Sequence, residues 1–207
     1  MRQNRKNKRF IYLISPNKIK NEEFYTKLNQ VLSSKKVSFF QLRLKRESFK
    51  NKLKIGKKIK IICKNYNVKL IINDDPFLAK EINADGCHLG QNDMQISDAR
   101  KILKKKIIGI TCHNSLKLAK KAVRDRADYI AFGAFNYSNT KKVKFKAKYD
   151  LLKKARKFVK IPIVAIGGIN YLNYKKLLLN KANFLAISGF IWNNNKYKPY
   201  EAMEKLK

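Results

Sequence analysis

Carboxylates are scarce in this chain, 14 Asp and Glu against 49 Lys and Arg, so acids that share a structural position stand out. Asp74 follows the apolar run LIIN (70–73), and Asp93 follows GCHLG (86–90) by two residues. Two parallel strands ending side by side would bring both acids to one rim of a sheet. Hard oxygen donors suit Mg2+, which typically takes one or two protein carboxylates together with substrate phosphate oxygens. Asp74 and Asp93 are therefore the expected metal ligands, whereas Asp75, just before Pro76, is expected as a helix N-cap. A second group, Gln41-x-Arg43-x-Lys45, begins within VSFFQL (37–42) and runs past its end. Alternate residues of an extended chain point the same way, so one amide and two cations converge as they would on a phosphate or diphosphate. Acids that hold a cation beside cations that hold an anion describe a metal–diphosphate site.

The elements that must position these groups read as eight strand–helix units. Strands are expected at Phe10–Ser15, Val37–Leu42, Val68–Ile72, Gly86–Leu89, Ile107–Thr111, Tyr129–Gly133, Ile161–Ile166 and Phe184–Ser188. Helical spacing of apolar residues lies between them, at Glu22–Leu32, after Ser48 (Phe49, Leu53, Ile59, Ile62 and Cys63), at Pro76–Ile82, Ser97–Leu103, after Asn114 as cap, at Tyr149–Phe158, around Tyr171–Leu179 and near Pro199–Leu206. Short apolar strands alternating with amphipathic helices indicate a parallel sheet buried on both faces. Eight such units favour an α/β fold of (β/α)8 barrel type, a compact TIM barrel forming one domain over residues 10–207 after a basic tail at 1–9. No GxGxxG follows the first strand, which disfavours dinucleotide binding.

In a barrel the chemistry collects where strands pass into helices. Besides the groups above, those ends carry Asn73, Thr111, His113, the loop hydroxyls and cation of Ser138, Thr140 and Lys141, the Gly167-Gly168 pair, and Ser188. Gly167-Gly168 is expected to open a helix whose unpaired N–H groups face an anion. Gly168, Ile187 and Ser188 follow strands seven and eight, where barrels often hold a phosphate. Cys87-His88 and Cys112-His113 do not suit zinc, because neighbours on a strand face opposite ways and the spacing is wrong. His113 is a possible acid–base group, although a polar residue near a cap is the commoner role.

The net charge of +35 suggests a nucleic-acid surface. However, nine arginines stand against forty lysines, the lysines spread over every segment, and Asn and Ile are also abundant, a pattern of compositional drift. No nucleic-acid partner is expected, and small anionic substrates fit the basic surface instead. The longest apolar run falls well short of the roughly 20 residues that span a bilayer, so no membrane association is expected. Three cysteines without a close pair point to a reducing, cytoplasmic setting. A homo-oligomer is compatible with all of this.

With these residues in view, the chain resembles the thiamine-phosphate synthase family. The match rests on QLRLK (41–45), LIINDDPFLA (70–79), ADGCHLGQND (84–93), IIGITCHN (107–114), YIAFGAFNYSNTK (129–141), VAIGGI (164–169) and FLAISGFIW (184–192), in family order. The resemblance implies joining 4-amino-2-methyl-5-pyrimidinylmethyl diphosphate to 4-methyl-5-(2-phosphoethyl)thiazole with release of pyrophosphate. It places Gln41, Arg43, Lys45, Asn73 and Lys141 on the pyrimidine diphosphate, with Thr111 against its phosphates. Arg43, Lys45, Thr111 and Lys141 are thereby implied in catalysis, and Asp74 and Asp93 in holding Mg2+. Ser138, Asn139, Thr140, Gly168, Ile187 and Ser188 are implied on the thiazole phosphate. The chain departs from the family pattern at Asp75, where Arg is common, at Gly133-Ala134, at the loop Tyr137-Ser138-Asn139-Thr140-Lys141, and at Thr111, where Ser is frequent. Two rivals remain at this level. One is a superfamily relative that isomerises a thiazole phosphate, with His113 as proton carrier, and the other is a nonenzymatic basic protein that binds nucleic acid.

Overall fold

The computed structural model describes residues 9–137 and 144–207. Eight parallel strands close into a barrel in sequential order: Ile11–Ile14 (β1), Val37–Leu42 (β2), Lys69–Asn73 (β3), Gly86–Leu89 (β4), Ile107–Thr111 (β5), Tyr129–Gly133 (β6), Ile163–Ile166 (β7) and Phe184–Ile187 (β8). The outer layer is Glu23–Ser33 (α1), Phe49–Asn65 (α2), Pro76–Glu81 (α3), Ile96–Leu103 (α4), Leu116–Arg124 (α5), Asp150–Arg156 (α6) and Tyr174–Leu179 (α7), then Gly189–Trp192 (α8) and Pro199–Glu204 (α9). The expected (β/α)8 architecture is the observed one.

Alternation along the strands separates two apolar cores. Leu13, Phe40, Leu70, Cys87, Ile108, Ile130, Ala165 and Leu185 point outward and pack under the helices. Tyr12, Ile71, Tyr129, Val164 and Ala186 fill the barrel itself, with Phe39 and Phe184 beside them. The aromatic rings form a plug: Phe39 meets Phe184 edge-on at 5.0 Å and lies 5.4 Å from Tyr12. Going up the inward face, β2 passes from Phe39 to Gln41, β3 from Ile71 to Asn73, and β5 from Gly109 to Thr111. The barrel interior therefore changes from apolar to polar at the carboxyl ends of its strands.

The opposite end is pinned by a device used three times. The residue just before β4, β6 and β8 accepts the N–H of a residue in the preceding strand: Asp85 from Leu70 at 2.9 Å, Asp128 from Ile108 at 2.7 Å, and Asn183 from Ile163 at 2.9 Å. A cation from the helix leading into that preceding strand binds each acceptor: Lys60 of α2 to Asp85, Arg100 of α4 to Asp128, and Arg156 of α6 to Asn183. Groups at the amino-terminal face of such a barrel serve stability, which leaves the other rim to function.

Several local expectations need correcting. Asn114 does not cap α5; Ser115 does, accepting from the Leu118 N–H, while Asn114 donates to the Lys146 carbonyl. Phe49 is 47% exposed and does not join the core face of α2. Gly167-Gly168 does not open a helix: both residues have positive φ, +105° and +58°, and α7 begins only at Tyr174. Ser48 and Asp75 cap α2 and α3 as expected.

Candidate functional site

Asp74 and Asp93 meet at the rim. β3 ends in Asn73, and Asp74 adopts φ +66°, with its N–H donating to the His88 carbonyl at 2.8 Å. A non-glycine residue in this left-handed region is strained and persists where its surroundings over-determine it. Asp93 is turned back by the Gly90 N–H, which donates to its Oδ2 at 2.6 Å, and its carboxyl lies within hydrogen-bond reach of Asp74. Burial, and then the neighbouring Asp74 carboxylate, hold the Asp93 carboxyl above the usual carboxylate range. Lys45 Nζ reaches Asp74 Oδ2 at 3.2 Å. Two adjacent carboxylates sharing a rim present hard oxygens to a cation, and the donor set fits Mg2+. Among the described residues no third acidic, His or Cys side chain completes a protein-only site, so phosphate oxygens and water would supply the remaining ligands. A cleft of about 560 Å³ opens here, lined in part by Lys45, Asn73, Asp74 and Asp93.

The Gln41, Arg43 and Lys45 triplet holds its alternation, because Leu42 and Leu44 are buried in the outer layer. The three side chains do not sit at one depth. Gln41 is 2% exposed and donates from Nε2 to Tyr12 Oη at 3.1 Å. Arg43 is half-buried, and its guanidinium donates to Asn17 Oδ1 at 3.3 Å. Burial pulls the Arg43 pKa down from its ordinary high value while Asp74 pulls it back up, and the group stays charged. Lys45 is exposed.

Thr111, the last residue of β5, is held from two sides. Its hydroxyl lies 2.8 Å from His88 Nε2, and its carbonyl accepts from the Gln91 side chain. His88 is buried, stacks on Tyr129 with ring centres 5.6 Å apart, and meets Tyr129 Oη through Nδ1 at 2.9 Å. Burial pushes its pKa down to about 4, so the ring is neutral at physiological pH. Tyr129 Oη lies 2.7 Å from Tyr12 Oη. This interior network of Tyr12, His88 and Tyr129 is absent from the sequence-level site. The signal that could have found it is the alternation used for Gln41: His88 is level with Asn73 and Gly109 in the pairing of β4 with its neighbours.

The groups expected on the thiazole phosphate are only partly in view. Ser138, Asn139, Thr140 and Lys141 lie outside the described residues. The Gly167-Gly168 turn packs tightly against the segment before them: a Cβ on Gly168 would run into the Tyr137 carbonyl and Asn136, so only glycine fits both its φ and its space. The Ile187 side chain is buried in the outer core, which leaves its main chain to face the rim. Ser188 donates its hydroxyl to the Ser15 carbonyl at 3.1 Å. His113 adopts φ +50° with its ring stacked on Phe145 at 4.2 Å.

Comparison with known proteins adds an independent line. The family model for thiamine monophosphate synthase matches residues 11–191. A thiamine-phosphate synthase of Pelagibacter ubique is 67% identical over 207 residues, covering 100% of both chains. One from Nitrosomonas eutropha is 39% identical over 184 residues, 88% of this chain and 86% of its own. Among solved structures, the thiamine phosphate pyrophosphorylase of Pyrococcus furiosus superposes with a TM-score of 0.84 at 28% identity, covering 97% of this chain and 94% of that one.

Proposed function

The chain belongs to the thiamine monophosphate synthase family, and on that premise we propose how its rim carries out the reaction. The enzyme is a transferase that joins the pyrimidinylmethyl diphosphate to the thiazole phosphate and releases pyrophosphate. A thiamine-phosphate synthase 67% identical over the full length favours this reading over the rival isomerase and nucleic-acid readings. The aminopyrimidine can stabilise a methylene cation, so the carbon–oxygen bond breaks before the thiazole nitrogen attacks. Such chemistry needs the leaving charge neutralised and the two rings aligned more than it needs a strong base.

Asp74 and Asp93 are the residues that would hold Mg2+, which supplies charge neutralisation on the departing diphosphate. Arg43 and Lys45 bind the same phosphates from β2, with Lys141 as a further cation. Thr111 donates to a phosphate oxygen, and Gln41 and Asn73 orient the pyrimidine diphosphate. Ser138, Asn139, Thr140, Gly168, Ser188 and the main chain of Ile187 anchor the thiazole phosphate. The short helix α8 just beyond strand eight fits the usual phosphate position in barrels. Three free, buried cysteines suit a reducing cytoplasm.

The observation that carries the reading is the Asp74–Asp93 pair beside Lys45 and Arg43, an acid pair that calls for a cation next to cations that call for an anion. Asp74→Ala and Asp93→Ala, assayed for thiamine phosphate with both substrates and Mg2+, should each lose turnover while circular dichroism and melting stay close to the parent. Near-parental turnover in both variants would remove these acids from the reaction.

A further inference from the structure

Among the described residues, a hydrogen-bonded chain runs through the barrel interior from Gln41 to Thr111, and one set of proton positions satisfies every contact along it. The Gln41 side-chain nitrogen has only donors to offer, so the Tyr12 oxygen accepts from it at 3.1 Å. Tyr12 Oη lies 2.7 Å from Tyr129 Oη, and Tyr129 Oη lies 2.9 Å from His88 Nδ1, with either direction open at each contact. Tyr129 is the one described partner of Tyr12 that can receive its buried proton, and that choice leaves the Tyr129 proton for His88 Nδ1. A neutral imidazole that accepts at Nδ1 carries its proton on Nε2 and donates there, to Thr111 Oγ1 at 2.8 Å. The Thr111 oxygen thus receives a hydrogen bond from below and keeps its own proton for the rim.

We propose that His88, held as the Nε2–H tautomer by Tyr12 and Tyr129, is a positioning residue that turns the Thr111 hydroxyl outward as a donor to the anionic substrate. This rests on the diphosphate reading of the rim. The opposite polarity would need Thr111 to donate inward to His88, presenting lone pairs to the anion that Arg43 and Lys45 attract. Three further features hold the chain in place. A Cβ on Gly109 would fall inside the Tyr129 ring, so the missing side chain of β5 makes the seat for that ring. The Thr111 main chain is fixed separately, through its carbonyl, by Gln91. Tyr129 and His88 stack at an interplanar angle of 17°, which aligns the ring nitrogen with the phenol.

The first test leaves the chain from Gln41 to Thr111 unaltered. The chain has two histidines, and long-range proton–nitrogen correlations on protein labelled in histidine, assigned with a His113→Asn variant, report the tautomer of each ring. The result expected for His88 is a neutral ring protonated at Nε2, and protonation at Nδ1 overturns the proposal. The second test is kinetic. His88→Leu, which has no donor, should lower kcat/KM for the pyrimidine diphosphate by about ten- to a hundredfold, the range of a hydrogen bond to a charged group. KM for the thiazole phosphate should stay within about twofold, a margin set by the weak coupling of separate sites. His88→Gln, whose Nε2 takes the place of the imidazole donor, should recover most of the loss. Because His88 acts through Thr111, adding Thr111→Ala to His88→Leu should cost little more than either change alone. Full additivity, or no rescue by Gln in a folded variant, contradicts the proposal. Failure of the parent protein to form thiamine phosphate would overturn the reading of the rim instead, whatever the tautomer.

Discussion

Gly109→Ala is the most economical way to disturb the barrel interior. Gly109 is level with His88 on one side and Tyr129 on the other, and a methyl there would lie well within the 3.0 Å that real Cβ contacts do not reach. The obstructing atoms belong to a ring packed among Tyr12, Phe39 and His88, so the ring has no open side to move into. Overpacking of this kind costs about 1–3 kcal/mol. Displacing the ring also loosens the hydrogen bonds from Tyr129 to Tyr12 and His88, each worth about 1 kcal/mol. A total of about 3–5 kcal/mol is expected. At roughly 2–4 °C per kcal/mol for a domain of this size, Tm should fall by about 6–20 °C. The assay is thermal unfolding of the parent, Gly109→Ala, Tyr129→Ala and the double variant. Removing the ring leaves the new methyl unopposed, so the double variant should be about as stable as Tyr129→Ala alone, with a coupling equal to the whole cost of Gly109→Ala, about 3–5 kcal/mol. A Gly109→Ala protein that melts with the parent, or a cycle without coupling, would refute the packing argument.

Two further outcomes follow from the acid pair and from the closed end of the barrel. Asp93 has a folded-state pKa raised above its unfolded value of about 3.9, so its favourable contribution is complete only below that value and is lost as pH rises through the folded pKa. Without divalent metal, Asp93→Asn should therefore melt above the parent near neutral pH, with the gap closing on acidification; melting curves across pH check this, and a pH-independent gap contradicts it. Arg100 donates to the Lys104 and Lys106 carbonyls at 2.8 and 2.6 Å as well as to Asp128. Arg100→Ala should cost about 1–3 kcal/mol by removing the donor that ties the Lys104 and Lys106 carbonyls to Asp128, and Arg100→Lys should restore little because the ammonium lacks the guanidinium fork. Denaturant unfolding measures the loss, and kcat and KM should stay unchanged because the pin lies at the end of the barrel away from the rim.

The features legible in the sequence were those with a short period or a local cause. Apolar runs of four to six residues gave every strand, and the acids and cations directly after them gave the rim. Asp75 and Ser48 were readable as caps because capping is decided within three residues. What escaped depends on closure of the sheet. His88 reads locally as a buried strand residue, and only the pairing of β4 with β5 and of β5 with β6 carries its ring to Thr111 and Tyr129. Gln41 belonged to an anion triplet by spacing, yet the pairing of β1 with β2 sets it against Tyr12, from 29 residues earlier in the chain. The Gly167-Gly168 pair misled because glycine permits both a helix start and a left-handed turn, and the close approach of Asn136 and Tyr137 decides for the turn. The helix α8, a single turn of four residues, is too short to show a period.

Neutralisation of a departing diphosphate by a cation held at Asp74 and Asp93 is the proposed work of the rim. It is tested most directly by following phosphorus resonances of the purified protein with both substrates, first with Mg2+ and then after chelation. Pyrophosphate and thiamine phosphate should appear in equal amounts, and their formation should slow by about a hundredfold or more when the metal is removed, as expected for loss of a Lewis acid worth several kcal/mol. Turnover that continues undiminished in chelator, or thiazole phosphate converted with no pyrophosphate released, would contradict it.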